Sequence, residues 1–455
     1  MTASETVFVA SMLFGLFFGA GNLIFPIYVG QLAGSNLLWA VLGLLITGVG
    51  LPLLGVAAIG ISRSEGLIEL SGKVGRGYSI FFTCALYLTI GPFFAIPRCA
   101  TTSFTIGVEP LLSDGANTSA ALAIFSILFF VAVLLFSLFP GKILTWVGKI
   151  LNPLFLVFLG VLVIAAFINP MGNISEIAPD GAYVDRAFMT GFLEGYNTMD
   201  ALASLAFGIV VITVIRDLGI KEPRDVAKST VFAGIFSCLF MALIYAAVAV
   251  VGAQSRGIFE KAANGGEVFA LVADHYFGRA GAIILAFIVT FACLKTAVGL
   301  VTSCSETFTK LFPKSLPYKA WAVVFSLVSC LLANVGLSAI IEYAVPVLMF
   351  LYPLAITLIL LGLFGNLFNH RKCVYVFVTV FTFVPALADL CTALNKASGV
   401  PEWLKNALKF GTIADIADKC LPLFDFGLGW LVPAFVGLVL GLIFMLVTGD
   451  KKCRE

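Results

Sequence analysis

The residues best suited to chemistry sit in the middle of apolar runs, where polar atoms are costly. Phe17–Phe18–Gly19–Ala20–Gly21–Asn22 interrupts the first run, and Glu194–Gly195–Tyr196–Asn197–Thr198–Met199–Asp200 interrupts another, 175 residues on when counted from Ala20 to Gly195. Glycine in a helix interior costs about 1 kcal/mol relative to alanine. In hydrocarbon an unsatisfied N–H or C=O costs several kcal/mol, so irregular backbone persists only against protein or a ligand. The half-helix after such a break begins with free N–H groups and the positive end of its dipole, which suits a carboxylate. The half-helix before it ends in free carbonyls, which suit a hard cation such as Na⁺, and Asn22 offers a side-chain oxygen to either. A zwitterion together with a cation meets both needs. A glycine pair alone also fits close helix packing. The second interruption, with Glu194 and Asp200 among apolar flanks, favours a site instead.

Further candidates complete the set. In CLKTAVGLVTSCSETF, the hydroxyls of Thr302, Ser303 and Ser305 cluster beside Gly299. Thr302 and Ser303 could ligate a cation with a carbonyl near Gly299, or their hydroxyls could bond back to their own helix. Lys295, two turns earlier, could pair with Glu194 or Asp200, or place its ammonium in part of a cation site. Arg98 and Glu342 fall toward the outer ends of their runs, where they could form an extracellular gate or a static pair. Tyr87, with Pro92 and Phe93, is a candidate for the wall of a substrate cavity.

The elements that must hold these residues are membrane helices. The 455-residue chain is 60% hydrophobic and 11% charged, with a mean hydropathy of +1.08; soluble domains carry about a quarter charged residues. Twelve spans are expected, near 6–32, 37–61, 78–107, 120–139, 145–168, 187–215, 228–253, 279–308, 318–335, 339–364, 373–393 and 428–448, each close to the ~20 residues a bilayer crossing needs. The loops 169–186, 254–278 and 394–427 are longer and contain amphipathic pieces such as EVFALVADHYF and PEWLKNALKF. A cytoplasmic N-terminus puts 17 Lys and Arg inside against 8 outside, with Arg98 and Lys295 within spans, so both termini are expected in the cytoplasm. The N-terminus lacks a basic region, and its first run is expected to be retained as a helix rather than removed. Ten scattered cysteines without a CxxC pair read as packing residues, and His275 and His370 are too far apart in sequence to suggest a histidine metal centre. A net charge of +2 recruits no nucleic acid, and no GxxxxGK[ST] loop supports primary pumping. The two interruptions lie in spans of opposite sense, five apart, which is the pattern of inverted repeats with broken helices at their interface.

FGLFFGAGNLIFPIYVGQLAGSN, the later EGYNTMD and the twelve-span layout resemble the bacterial branched-chain amino acid–cation symporter family over essentially the whole chain. More distantly, GAGN-LIFP is similar to the first-helix signature of neurotransmitter–sodium symporters, although the segment from Asn22 to the FP pair is one residue shorter here. The resemblance implies an all-α, multi-pass protein of the bacterial inner membrane with a five-plus-five inverted-repeat core. Residues 1–168 would form the first repeat, 187–364 the second, and 373–455 two accessory spans and a tail. The implied activity is symport, not enzymatic: uptake of leucine, isoleucine and valine driven by a sodium or lithium ion gradient, with no organic cofactor. Its alternatives are proton coupling on the same fold, a channel or a membrane enzyme. Carried over by position, the N–H groups of Ala20, Gly21 and Asn22 would face the substrate carboxylate; Gly195, Tyr196, Asn197, Thr198 and Tyr87 are further substrate-binding candidates from the residues themselves. Asn22 would ligate a cation near the substrate. Carbonyls of Gly15 and Phe18 would meet Gly299, Thr302 and Ser303 at a second cation site. Glu194, Asp200, Lys295, Arg98 and Glu342 would couple or gate.

Overall fold

The computed structural model describes residues 2–19, 21–64, 66–113, 115–138, 142–220 and 222–452. The described residues form helices and connecting turns, without a strand. Among the described residues, eight helices are long and apolar enough to cross a membrane, and Glu5–Phe17, Pro153–Ile168 and Tyr318–Ala333 are shorter apolar helices. With the halves of broken helices taken together, the described helices group into twelve segments, numbered as spans in chain order. Span 1 is Ala3–Phe17 followed by Gly21–Ala33, and span 2 runs Leu37–Leu45, a π-turn at Ile46–Gly50, and Leu51–Ile61. Span 3 is Arg76–Leu88 and Ala95–Gly107, span 4 Thr118–Leu138 and span 5 Lys142–Ile168. Span 6 is Tyr183–Glu194 then Asp200–Asp217, span 7 Pro223–Ser255 and span 8 Gly265–Leu311. Spans 9 to 12 are Tyr318–Ala333, Leu337–Phe364, Lys372–Lys396 and Leu431–Lys452.

Both expected interruptions are present. The first falls at Phe18–Gly19, and Asn22 stands in the first turn of the half-helix that follows rather than in unwound chain. Phe18 is extended (φ −72°, ψ 102°), which ends the first half-helix. In span 6, Gly195–Thr198 tightens into a single 3₁₀ turn and Met199 turns left-handed (φ 64°), so Asp200 starts a new helix on a new axis. A third break was not anticipated. Span 3 widens to a π-turn over Thr89–Phe93, and Gly91 leaves helical geometry (φ −98°, ψ −125°). Pro92 has no N–H to continue the ladder, which favours a kink there.

Helix packing is reciprocal: span 1 lies along span 7, and span 6 lies along span 2. This exchange is what an inverted repeat produces when spans 1 and 6 swap roles. The amphipathic loop pieces fold as helices. Residues 265–277 are the first part of the span 8 helix, capped by Asn264 and broken at Gly278 (φ 58°). PEWLKNALKF supplies Glu402–Ala407, followed by Phe410–Cys420. On the outside of the bundle Leu128, Ile164, Leu239, Phe287 and Leu331 are exposed. In water so many exposed apolar side chains would drive aggregation; in a bilayer they meet their own solvent.

Candidate functional site

The two broken helices meet at Asn22. Its Nδ2 donates to Asp200 Oδ2 at 2.7 Å and to the Tyr245 hydroxyl, while its Oδ1 accepts from the Gly19 N–H at 2.7 Å. Tyr245, from span 7, also donates to Asp200 Oδ2 at 3.0 Å. One side chain thus caps the first break and ties it to the start of the second half of span 6.

Main-chain carbonyls of the span 6 break are met from neighbouring spans and from within the turn, as burial demands. Thr47 donates to the Phe192 carbonyl at 2.6 Å, and Thr198 donates to the Gly195 carbonyl at 2.9 Å. Arg98 reaches across from span 3 to donate to the carbonyls of Asn197 (2.6 Å) and Thr198 (3.4 Å). Its guanidinium also lies 5.1 Å from the centre of the Phe25 ring. Two glycines make this approach possible. A Cβ on Gly21 would stand 2.8 Å from an Arg98 nitrogen, and one on Gly195 would stand 1.9 Å from Thr47 Oγ1.

Between the breaks lies a chamber of about 50 Å³, lined by Gly21, Asn22, Arg98, Thr198 and Asp200 on its polar side and by Ile90, Ala95, Ala203, Phe207 and Leu300 on its apolar side. That volume holds about one or two waters and is far smaller than an amino acid, so the chamber is contracted in this conformation. Above it, on the side of Arg186 and the 394–427 segment, a separate vestibule of about 620 Å³ descends to Glu194, Tyr196 and Asn197. In that segment the carboxyl of Asp425 crowds Asp418 and lifts its proton affinity above the ordinary carboxylate value.

The sequence-derived candidates divide. Gly21, Asn22, Thr198, Asp200 and Arg98 come together at the chamber, Ala20 lies outside the described residues, and Gly195, Tyr196 and Asn197 form the turn between chamber and vestibule. Four expectations are corrected. Arg98 does not meet Glu342: the former holds main-chain carbonyls, and the latter accepts from Ser398 through its N–H (2.7 Å) and hydroxyl (2.5 Å). Lys295 pairs with neither acid, since Asp200 faces Asn22 and Tyr245 and Glu194 accepts from Asn197 at 2.9 Å. Tyr87 does not line the chamber but donates to the Ala206 carbonyl at 3.3 Å, bracing span 3 against span 6.

The fourth correction concerns the second cation site. The first half of span 1, carrying Gly15, packs on spans 7 and 6 rather than along span 8, and the Phe18 ring stacks on Phe14 and lies against Phe155. Thr302 accepts from the Tyr318 hydroxyl at 3.5 Å, and Gly299 has open space before it. Thr296 and Leu300, one turn apart, are what span 8 turns toward the break. Ser303 follows on that face two turns below Thr296, roughly 10 Å along the axis, while Thr302 is rotated toward span 9. The ligand set is therefore not assembled in this conformation. Tyr245, Thr296 and the chamber's apolar wall were not singled out from sequence: each is one ordinary residue in an apolar run, with no local pattern to mark it.

Among solved structures the fold is similar to Mhp1 in its inward-facing conformation, with a TM-score of 0.62 at 14% identity over 97% of this chain and 91% of that one. It is also similar to a Na⁺-coupled sialic acid symporter in a substrate-bound outward-open state (TM-score 0.57, 15% identity, covering 97% and 89%). These likenesses agree with the all-helical, broken-helix transporter fold. Over 436 residues the chain is 51% identical to the branched-chain amino acid permease BrnQ of Lactobacillus delbrueckii subsp. lactis, covering 96% of each. It is 43% identical over 446 residues to BrnQ of Bacillus subtilis, covering 97% of each. A family model described as branched-chain amino acid transport protein matches residues 2–448, and with these relatives it establishes that the chain belongs to that family of membrane transporters rather than to any enzyme family.

Proposed function

We propose that this protein imports leucine, isoleucine and valine across the bacterial inner membrane by alternating access, coupled to an inward Na⁺ gradient. The observation that carries the reading is the chamber at the two helix breaks, with a polar wall on one side and an aliphatic wall on the other. The substrate carboxylate would sit against the first turn at Gly21 and Asn22, beside Arg98. The Arg98 Nε is buried without a hydrogen-bond partner, and this free donor supports a role in holding that carboxylate. Ile90, Ala203, Phe207 and Leu300 would take the branched side chain once the chamber opens. Apolar pockets discriminate by only about 1–3 kcal/mol per methylene, so preference among the three substrates should be modest.

Sodium would enter where carbonyls of the first break face span 8, after the inner half of span 1 swings toward Ser303. At 100 mV one inward charge carries about 2.3 kcal/mol. A tenfold gradient adds about 1.4 kcal/mol, so the two together support roughly 500-fold accumulation of a neutral zwitterion. Proton coupling is the second reading, favoured by one observation: Asp200 is a buried carboxylate at the junction of both breaks.

Leucine uptake into proteoliposomes tests the reading. An imposed Na⁺ gradient should drive accumulation well above equilibrium in the absence of a pH gradient. Accumulation that follows only a pH gradient would transfer the coupling to protons, and no accumulation under either would remove symport.

A further inference from the structure

The outer vestibule contains a feature that the transport cycle above does not use. Asp389 lies on span 11, two turns before the helix ends at Lys396, and only 4% of it is exposed. Its Oδ2 has no hydrogen-bond partner, and the residue lines the wall of the 620 Å³ vestibule. A buried, uncompensated carboxylate costs several kcal/mol. The bases that share the cavity do not supply the missing charge. Arg186 donates to the Asp425 carbonyl at 3.0 Å and lies 5.0 Å from the Phe426 ring centre, and Lys396 is exposed at the helix end. No ion pair joins either to Asp389 among the described residues.

Neutral oxygen is at hand. The Tyr196 hydroxyl, buried and also without a partner, lines the same cavity, as does Thr392 one turn from Asp389. The remaining vestibule acids, Glu194, Glu342, Asp415, Asp418 and Asp425, bias the cavity toward positive charge. Among the described residues no three His, Cys, Asp or Glu side chains stand close enough together to hold a metal ion, so the multi-carboxylate cage of a divalent ion is not formed there. One carboxylate with hydroxyl oxygens suits a single positive charge.

We propose that Asp389 anchors a sodium-binding site in the outer vestibule, separate from the chamber at the helix breaks. The site lies on an accessory span, so it would load Na⁺ from outside without forming part of the substrate chamber.

Equilibrium binding of ²²Na⁺ and of radiolabelled leucine to the full-length protein in detergent tests this. Asp389→Asn should bind one sodium fewer per chain than wild type, keep its leucine stoichiometry and elute unchanged on size exclusion; Asp389→Glu should retain the sodium. If Asp389→Asn does not fold, Tyr196→Phe carries the test, with one component of sodium binding weakened several-fold. Unchanged sodium binding in the variant that folds overturns the site. A loss of leucine in place of sodium also overturns it, assigning Asp389 to an amino group. If wild type binds no sodium at all, this site and the sodium coupling fall together; if only Asp389→Asn is without effect, the coupling stands and this site alone is lost.

Discussion

Every polar atom of the Asn22 side chain is engaged, with Gly19, Asp200 and Tyr245, so its replacement leaves several buried groups unpaired. Leaving a buried polar group unsatisfied costs about 1–3 kcal/mol. Asn22→Ala should therefore weaken leucine uptake at least tenfold to hundredfold, read as kcat/KM in vesicles. Tyr245→Phe removes one hydroxyl and leaves the Asn22–Asp200 bond, and should reduce uptake by less, within about tenfold. At the apolar wall, Ala203→Leu adds bulk where the branched side chain is proposed to lie. Competition uptake should then shift toward valine over leucine, and unchanged ratios would place the pocket elsewhere. The sequence disclosed Asn22 and Asp200 because polar residues in apolar runs stand out. It gave no sign of Tyr245, a single tyrosine in an otherwise ordinary apolar helix. The pairing expected of Lys295 failed for a related reason. Depth along a helix can be read from sequence, but its neighbour Thr296 is the residue turned to the chamber, and one position is a rotation of about 100°.

At the scale of elements, the first half of span 1 is the piece that would have to move to complete the proposed cation site. It packs on spans 7 and 6, while the hydroxyls expected to complete the site stand on span 8. Spin labels at the exposed positions Ser11 and Glu306 should report a shorter distance by pulsed dipolar spectroscopy in Na⁺ than in choline. An identical distribution in both would show that sodium does not draw these helices together. The breaks in spans 1 and 6 were readable from Gly, Asn and carboxylates. The break in span 3 was not, because Gly91–Pro92 inside an apolar run is common in membrane helices and carries no charge to single it out. Which partner each helix chooses was beyond sequence as well, since lipid-facing and helix-facing surfaces are equally apolar.

For the whole molecule, the twelve-span layout was legible because hydropathy and length together define a crossing, whereas the vestibule was not. Its walls come from spans 6, 10 and 11 and the helices that follow, segments far apart in the chain. If sodium drives uptake, an ionophore that exchanges Na⁺ for H⁺ should collapse leucine accumulation to the equilibrium level in energised vesicles. Persistence of the gradient under that treatment would point to another ion.

The guanidinium of Arg98 fastens spans 1, 3 and 6 over the chamber through peptide oxygens and an aromatic face, with no carboxylate as its direct partner. Neither kind of partner gains or loses a proton at any physiological acidity. Changes of external pH between about 5 and 8, the window in which histidine-based fastenings release, should thus leave this closure as tight as before, and opening must come from what arrives inside the chamber.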